Sequence, residues 1–319
     1  MHALAALAFG AILPWTLALR RPADVVEVGQ QGQDPVDFQR LSSYFSEDDL
    51  WEILERLKQV PVRFKTSLMG VPMSSSKDLN RTAPRQCALV SNSRNLLEQN
   101  AGADIDAVDG PVLRINGAVT EGFEQHVGSR KELLMINDQM PCMWEALKQG
   151  PPRGVQFVIV NDFDNKDRRL RAGCVRYMVE RFPQVKFFAL DWSEMNQKLT
   201  QLLDDVVQKS PPSLWGAASD ELSTSGLVGG LFLLNLCEEV RHFGFLHSEV
   251  CKEHYFDPDA YMADCTNAKK HSLSQEHILW KLVSSTWRSR HSGEGHIAGW
   301  PRLQSQHTGW SWAPLWPWR

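Results

Sequence analysis

The chain has 319 residues, of which 43% are hydrophobic and 23% are charged, a composition typical of a globular protein that buries one large core or two smaller ones. Its formal net charge is -4, its pI is about 6.2, and it contains no long run of lysine and arginine. This charge excludes the broad basic surface that binds a nucleic-acid backbone.

The first 19 residues carry no charge and are followed by Arg20 and Arg21. As a helix, this segment is about 28 Å long, close to the roughly 30 Å of a bilayer core. It predicts a signal anchor or a signal peptide that delivers the chain to the secretory pathway. Both alternatives stay open, because the arginines lie on the wrong side for a lumenal anchor and a signal peptide normally begins with a charge. Residues 20–45, rich in Gln, Gly and Pro, predict a stem or linker.

The first element of the folded domain is predicted to be a helix that begins near residue 46. Ser46 is its expected N-cap, with acidic residues in the first turn and an apolar face made by Leu50, Ile53, Leu54 and Leu57. Further along, short apolar runs predict strands, namely CALVS, VLRI, LLMI, VQFVIV and VKFFAL, and the stretches 166–181, 193–209 and 227–240 predict helices.

This alternation of strands and helices predicts an α/β fold, a Rossmann-like sandwich with a largely parallel sheet and helices on both faces. Loops at the strand ends are the expected ligand site. We expect this domain to span 46–290. Residues 291–319 hold five of the twelve tryptophans beside Pro and Gly, which predicts a disordered tail or, alternatively, a contact with a partner or membrane surface.

Cysteine usage fits a secreted chain. Six cysteines allow up to three disulfides in 15 pairings, and none forms a Cys-x-x-Cys pair of the kind found in zinc sites. Buried free thiols are the alternative for any one of them.

The stretch from Cys87 to Arg130 carries the first chemical signal. It resembles, over many positions, the large motif of the eukaryotic-type sialyltransferases, glycosyltransferase family 29. Ser91 stands where many family members have glycine. The matching residues are Cys87, Asn92-Ser93, Asn95-Leu96, Gly102, Ile105-Asp106, Arg114, Asn116, Gly122-Phe123-Glu124 and Val127-Gly128-Ser129.

Three further stretches follow in the order of that family's motifs. The segment Thr224-Ser225-Gly226, which runs into a helix carrying Cys237, resembles the small motif, and HYFD at 254–257 resembles the third motif. His271 and Glu276 have the spacing of the very small motif. The family joins its large and small motifs by a disulfide, so the resemblance implies a bridge between Cys87 and Cys237.

The residues themselves support a nucleotide-sugar site. Asn92 and Asn116 each follow a strand-like run, where an amide can bind a ribose hydroxyl, a base edge or a phosphate, although ordinary turn chemistry is the commoner use of asparagine. Gly226 begins a helix whose free N–H groups favour an anion, while Thr224 and Ser225 are N-cap candidates. These five residues are the predicted donor-binding set together with Tyr255.

The resemblance implies an inverting displacement on CMP-linked sialic acid, with CMP-sialic acid as donor substrate and no metal or other cofactor. His271 is the predicted general base and His254 the predicted partner of the departing phosphate. His271 and Glu276 lie about 140° apart around a helix and are poor co-ligands of a metal, so Glu276 is expected to orient or stabilise. The implied acceptor is a glycoprotein or glycolipid, and the implied location is the Golgi membrane with a lumenal catalytic domain.

Two other functions compete with this one. Asp162 and Asp164 follow a strand in a DxD arrangement that could hold a divalent ion on a sugar diphosphate, as in metal-dependent glycosyltransferases. A catalytically silent member that binds a glycan or nucleotide is the other alternative. The donor could also be a related keto-sugar such as CMP-Kdo.

Overall fold

The computed structural model describes residues 44–75, 86–94, 96–137, 139–161, 168–209, 224–237, 239–244, 254–256, 279 and 296–298. All of them belong to one structural unit, Pro35–Arg319, and the other unit, Met1–Asp34, falls outside this part of the chain. The predicted apolar segment 1–19 is therefore not described. No helix within the described ranges has both the length and the apolar character needed to cross a membrane.

The described part starts with the predicted N-terminal helix. Helix α1 (Glu47–Lys58) begins after Ser46, whose Oγ accepts a hydrogen bond from the Asp49 N–H at 3.1 Å, while the Ser46 N–H donates to the Asp49 carboxylate at 2.9 Å. This reciprocal capping box satisfies two backbone N–H groups at the helix start. The apolar face of α1 is buried in the core, as the sequence pattern predicts.

Three two-residue strands and then an alternating series of strands and helices follow α1. The strands are β1 (Phe64–Lys65), β2 (Ser67–Leu68), β3 (Val71–Pro72), β4 (Gln86–Val90), β5 (Val112–Ile115), β6 (Leu133–Asn137), β7 (Phe157–Asn161), β8 (Lys186–Leu190), β9 (Glu239–Phe243) and β10 (His296–Ala298). The helices are α2 (Leu96–Gln99), α3 (Gly102–Asp106), α4 (Glu124–Val127), α5 (Met140–Ala146), α6 (Arg168–Arg181), α7 (Trp192–Gln208) and α8 (Ser225–Leu236).

The main sheet has the strand order β1-β8-β7-β6-β5-β4-β9-β10. The six strands from β8 to β9 run parallel, and the short edge strands β1 and β10 are antiparallel to their neighbours. Strands β2 and β3 form a separate antiparallel pair. The prediction of an α/β fold with a largely parallel sheet is confirmed.

Both faces of the sheet are covered, because side chains alternate along each buried strand. In β7, Phe157 and Ile159 pack in the cluster that contains residues of α1, α7 and α8, and we call this side the α8 face. Val158 and Val160 point the other way, into a cluster with residues of α5 and α6. A third cluster, on the same side as the second, packs α2, α3 and α4 against β4 and β5.

One predicted helix is too long. The sequence pattern predicts a helix over 227–240, whereas α8 ends at Leu236 and residues 239–243 form β9, which pairs in parallel with β4. Cys237 is extended, with φ -120° and ψ 153°, and its sulfur is bonded to Cys87 on β4. The chain therefore turns from helix to strand where the disulfide holds it beside β4, a tertiary constraint that local periodicity does not contain.

The sheet also reaches into the predicted tail. Residues 296–298 form the edge strand β10, paired antiparallel with β9 through His296 and Arg241, Ile297 and Val240, and Ala298 and Glu239. A three-residue edge strand is too short to show a period-two pattern, so the sequence boundary at residue 290 falls before the last strand of the sheet.

Candidate active site

The predicted ligand-binding residues that the structure describes lie at the carboxyl edge of the parallel sheet. The chain runs from β4 through β5, β6 and β7 to β8 on one side, and then returns through α7 and α8 to place β9 on the other side of β4. Strand order therefore reverses between β4 and β9. In parallel α/β proteins, ligands bind in the crevice at the carboxyl ends of strands at such a switch point.

Asn92 is the second residue after the end of β4, at this switch point. Its Nδ2 donates to the Ile115 carbonyl at 3.1 Å, which ties the end of β4 to the end of β5. Its Oδ1 is buried and has no hydrogen-bond partner among the residues that the structure describes. A buried amide oxygen without a partner carries a desolvation cost, so this atom is suited to accept a hydrogen bond from a ligand hydroxyl or amine.

Asn116 follows β5 and has a left-handed backbone, with φ +51°. Asparagine tolerates this conformation better than most residues with a side chain. The Asn116 N–H donates to the Met135 carbonyl at 2.7 Å, and the Asn116 Oδ1 accepts from the Asn137 N–H at 3.0 Å. Its amide oxygen is thus used within the protein, and the NH₂ group is the part of the side chain suited to a ligand.

The start of α8 provides backbone donors at the same edge. Since α8 packs on the sheet and leads into the parallel strand β9, it runs antiparallel to the strands and its first turn lies at their carboxyl ends. Thr224 is the N-cap, and its Oγ1 accepts from the Leu227 N–H at 3.1 Å. Ser225 and Gly226 are buried in the first turn. The first N–H groups of a helix carry a partial positive charge that favours an anion.

The segment His254–Phe256 is attached to the end of β4. Ser93 and His254 form an isolated antiparallel bridge, and the Tyr255 N–H donates to the Asn92 carbonyl at 3.0 Å. The His254 ring stacks on Phe256, with centroids 5.2 Å apart and planes 22° apart. The structure therefore brings the predicted phosphate partner, His254, next to the predicted donor-binding residue Asn92.

Tyr255, the middle residue of this segment, is buried, with only 4% of its surface exposed. Its ring packs edge-on against Phe123, with centroids 5.2 Å apart, and its hydroxyl donates to the Val119 carbonyl. Burial raises the pKa of Tyr255 to about 12, although the nearby Arg114 acts against this rise. The phenol stays protonated at neutral pH, and because its proton is used on Val119, a ligand can meet only its acceptor lone pair.

Arg114 is a buried scaffold residue in the middle of this region. Its Nε donates to the Arg130 carbonyl at 2.7 Å, and one terminal nitrogen donates to the Val127 carbonyl at 2.6 Å. Burial lowers the pKa of this guanidinium. Burial acts to raise the pKa of the Asp106 carboxyl, but hydrogen bonds such as that from the Ser129 N–H at 2.9 Å outweigh it and hold this pKa below its ordinary value. These contacts fix the loop that follows α4 against β5, the strand that leads into Asn116.

Within the described residues, two disulfides connect elements of the fold. The structure contains the bridge between Cys87 and Cys237 that the resemblance implies, and it joins β4 to the C-terminal end of α8. A second bridge, between Cys142 and Cys174, connects α5 with α6 and was left open by the sequence. The first bridge positions α8 so that its N-terminus stays at the carboxyl edge of the sheet.

Several predicted residues lie outside the described part of the chain. They are the general base His271 with its neighbour Glu276, and the two aspartates of the alternative metal site, Asp162 and Asp164. Within the described ranges, no group of three or more His, Cys, Asp or Glu side chains is arranged to hold a metal ion.

Two further asparagines at this edge were not singled out in the sequence. Asn137 and Asn161 end β6 and β7, so asparagine ends or follows four adjacent parallel strands at the same edge. Asn137 Oδ1 accepts from the Gln139 and Met140 N–H groups, each at 3.1 Å, and so caps α5. The signal was present, because an asparagine directly follows the apolar runs LLMI and VQFVIV.

The sheet is largely parallel, and polar side chains lie at its switch point, where α/β proteins commonly bind ligands. Sequence comparison identifies the family. The chain belongs to glycosyltransferase family 29, the sialyltransferases, whose family model matches residues 38–286. This confirms the family that the four motifs indicate.

Curated relatives agree with the family. The chain is 27% identical over 231 residues to a zebrafish (Danio rerio) β-galactoside α-2,6-sialyltransferase 2, covering 66% of this chain and 41% of the relative. It is 26% identical over 218 residues to the human β-galactoside α-2,6-sialyltransferase 1, covering 62% and 50%. A mouse CMP-N-acetylneuraminate-β-galactosamide-α-2,3-sialyltransferase 2 is 26% identical over 268 residues, covering 79% and 68%.

The chain thus spans about half the length of the α-2,6-sialyltransferases it matches. A solved structure of a mammalian sialyltransferase in complex with Gal-β-1-3GalNAc-ortho-nitrophenol aligns at 20% identity with a TM-score of 0.45, covering 78% of this chain and 81% of that one.

Proposed function

We propose that this chain transfers sialic acid from CMP-sialic acid to a hydroxyl of a β-galactoside, with inversion at the anomeric carbon and without a metal ion. Family membership supports the reaction class. The names of the matched relatives, which specify β-galactosides and a β-galactosamide, support the acceptor class.

The observation that carries the proposal is the unpartnered Oδ1 of Asn92, among the described residues, beside the His254 segment at the switch point. In the proposed complex, Asn92 and the NH₂ group of Asn116 bind the nucleotide part of the donor. Thr224, Ser225 and Gly226 offer the first turn of α8 to a hydroxyl or an anionic group of the donor. Tyr255 stabilises this set, because its N–H donates to the Asn92 carbonyl and its hydroxyl donates to the Val119 carbonyl.

The proposed reaction is a single displacement. The acceptor oxygen forms a bond to the anomeric carbon of sialic acid while the bond from that carbon to the CMP phosphate breaks. His271 takes the acceptor proton, since imidazole titrates near neutral pH. His254 stabilises the negative charge that grows on the departing phosphate. CMP leaves with the bonding electron pair, so the step is balanced without an added oxidant or reductant.

The proposed organisation follows from the same function. Residues 1–19 act as a signal anchor or signal peptide, 20–45 as a stem, 46–290 as the catalytic domain of a GT-A variant, and 291–319 as a tail whose residues 296–298 join the sheet. Two disulfides in the described part fit folding in an oxidising compartment. We place the catalytic domain in the Golgi lumen, where a glycoprotein or glycolipid is the acceptor.

The test is an assay of the purified chain with CMP-sialic acid and a panel of β-galactosides, with and without EDTA. We expect release of CMP and formation of a sialylated product that survives EDTA. Binding of CMP-sialic acid without turnover would replace the proposal by the catalytically silent alternative, and activity lost in EDTA and restored by Mn²⁺ would favour the metal-dependent one.

A further inference from the structure

Asn161, the last residue of β7, is a buried amide that the proposed reaction does not yet use. It has 0% of its surface exposed, and both its Oδ1 and its Nδ2 lack a hydrogen-bond partner within the described residues. Leaving both atoms of an amide unpaired costs roughly 1–3 kcal/mol for each group. Native structures keep very few such groups, and each one needs an explanation, of which a functional role is one.

Its position in the strand sets the face of the sheet on which the side chain lies. Residues alternate along β7, so Asn161 lies on the α8 face with Phe157 and Ile159. The first turn of α8 lies at the same edge of the sheet. Asn161 pairs across the ladder with Asn137, which shares this face. The two asparagines differ in their hydrogen bonds. The Asn137 Oδ1 accepts from two N–H groups at the start of α5, whereas neither polar atom of Asn161 has a hydrogen-bond partner within the described residues.

Distance along the sheet edge separates Asn161 from the nucleotide residues. Strand β7 is the third neighbour of β4, and strands are about 4.8 Å apart, so the end of β7 lies roughly 14 Å from the end of β4. A ribose, a phosphate and the start of a sugar fill a span of this order. With the nucleotide at the ends of β4 and β5, as proposed above, a group bound at β7 lies beyond it along the sheet edge, and this is where the inference places the acceptor.

We infer that Asn161 is a specificity-determining residue that binds hydroxyl groups of the β-galactoside acceptor. The inference rests on the proposed function and adds a residue to its acceptor side. An amide offers one acceptor oxygen and two donor hydrogens, which match two neighbouring sugar hydroxyls. A hydrogen bond made by a desolvated group discriminates strongly, because an acceptor without the hydroxyl leaves the amide unpaired again.

The experiment compares Asn161→Leu with Asn137→Leu in the full chain. Leucine has a similar volume and no polar atom, so Asn161→Leu should leave Tm unchanged or raise it, since it removes two unpaired buried groups. Asn137→Leu should lower Tm, because it removes the cap of α5. Ligand binding is measured by titrating lactose and Gal-β-1,3-GalNAc into each protein with CMP present, and CMP alone is titrated separately.

We expect Asn161→Leu to bind CMP as the parent does, and to bind both β-galactosides at least about tenfold more weakly, with a matching rise in acceptor KM in the transfer assay. A drop in Tm equal to that of Asn137→Leu shows that the amide is structural and overturns the inference. Unchanged galactoside affinity, or a parent that binds neither β-galactoside, also overturns it. Failure of the proposed function itself is recognised separately, as a parent that does not bind CMP or release it from CMP-sialic acid.

Discussion

Ser91 and Gly244 face each other across the switch point between β4 and β9, so closely that a Cβ on Gly244 would lie 2.2 Å from the Ser91 Oγ. The Ser91 N–H donates to the Phe243 carbonyl at 3.0 Å, and its Oγ accepts from the Ser93 N–H at 3.1 Å. Gly244 also has φ +80°. A serine side chain at position 91 therefore depends on the absence of a side chain at position 244.

Gly244→Ala should destabilise the protein by about 1–3 kcal/mol, because the new methyl group meets the Ser91 hydroxyl and the backbone conformation disfavours alanine. Gly122→Ala is the matched control, since Gly122 has φ +85° but no atom lies within 4 Å of the position that a methyl group would take there. Urea unfolding of both variants separates the steric cost from the backbone cost. Equal losses in the two variants would mean that contact with Ser91 contributes nothing.

A double-mutant cycle tests the contact between Ser91 and Gly244 itself. Ser91→Gly combined with Gly244→Ala should recover part of the loss, with a coupling energy on the order of 0.5–3 kcal/mol as for other contacting residues. Recovery should be incomplete, because the methyl group also meets Leu96 Cγ at 3.0 Å. Strict additivity of the two single changes would contradict the arrangement.

The two histidines should fail in different ways. His271→Ala is expected to keep CMP binding, because Asn92 and Asn116 remain, and to lose transfer by at least about a hundredfold, as for loss of a general base. His254→Ala should also weaken CMP binding, since its proposed partner is the phosphate. Titration of CMP and steady-state transfer rates measure both effects, with Tm as the check of folding. A folded His271→Ala with the parent rate contradicts the mechanism.

Tyr255 makes the stability of the protein sensitive to alkaline pH. Its pKa is about 12 when folded and about 10 as a free side chain. The folded chain holds the phenolic proton more tightly than the unfolded chain does, which adds up to roughly 2–3 kcal/mol to the free energy of unfolding. This stabilisation is complete below about pH 10 and is lost as the pH rises toward 12.

Tyr255→Phe should remove that sensitivity. At pH 8 the variant is expected to be less stable by about 1 kcal/mol, because the Val119 carbonyl loses its donor. At about pH 11 the difference should fall to zero or reverse. Urea unfolding at both values measures it, and a difference that stays constant between the two would show that Tyr255 titrates normally.

The two disulfides should stabilise the fold to different extents. Cys87 and Cys237 are 150 residues apart in sequence, and Cys142 and Cys174 are 32 apart. Chain entropy alone assigns about 5 kcal/mol to the longer loop and about 4 kcal/mol to the shorter one. Replacing each pair by alanine and measuring unfolding in urea should give the larger loss for Cys87 and Cys237. Recovery of either pair as free thiols in unreduced peptide maps would remove the basis for its prediction.

CMP binding should also depend more on the bridge between Cys87 and Cys237 than on the bridge between Cys142 and Cys174. The bridge between Cys87 and Cys237 positions α8 at the site, whereas the bridge between Cys142 and Cys174 lies between two helices on the opposite face. Loss of the first is therefore expected to weaken CMP binding in protein that is still folded, and loss of the second to leave CMP binding unchanged.

Local patterns determined helix α1, the five strands β4 to β8 and most of helices α6, α7 and α8. Ser46 begins a helix because its hydroxyl caps a free N–H, and runs such as VKFFAL form strands because branched and aromatic residues fit a buried sheet. The order of four family motifs was also legible, because each combines several residues at definite spacings. Both the local patterns and the motif spacings depend only on residues that are close in the sequence, so they can be recognised without the tertiary structure.

Only the tertiary structure decided which strand ends lie side by side and which polar atoms of the described residues remain without a hydrogen-bond partner. The strand β9 follows a helix that local periodicity extends to residue 240, and it exists because Cys237 is bonded to Cys87 and the chain pairs with β4. Asn137 and Asn161 are the same residue type at equivalent strand ends, yet one caps a helix and the other has no partner in the described structure. Their difference depends on which donors and acceptors the fold brings within about 3 Å, a property of long-range packing that spacing along the chain does not contain.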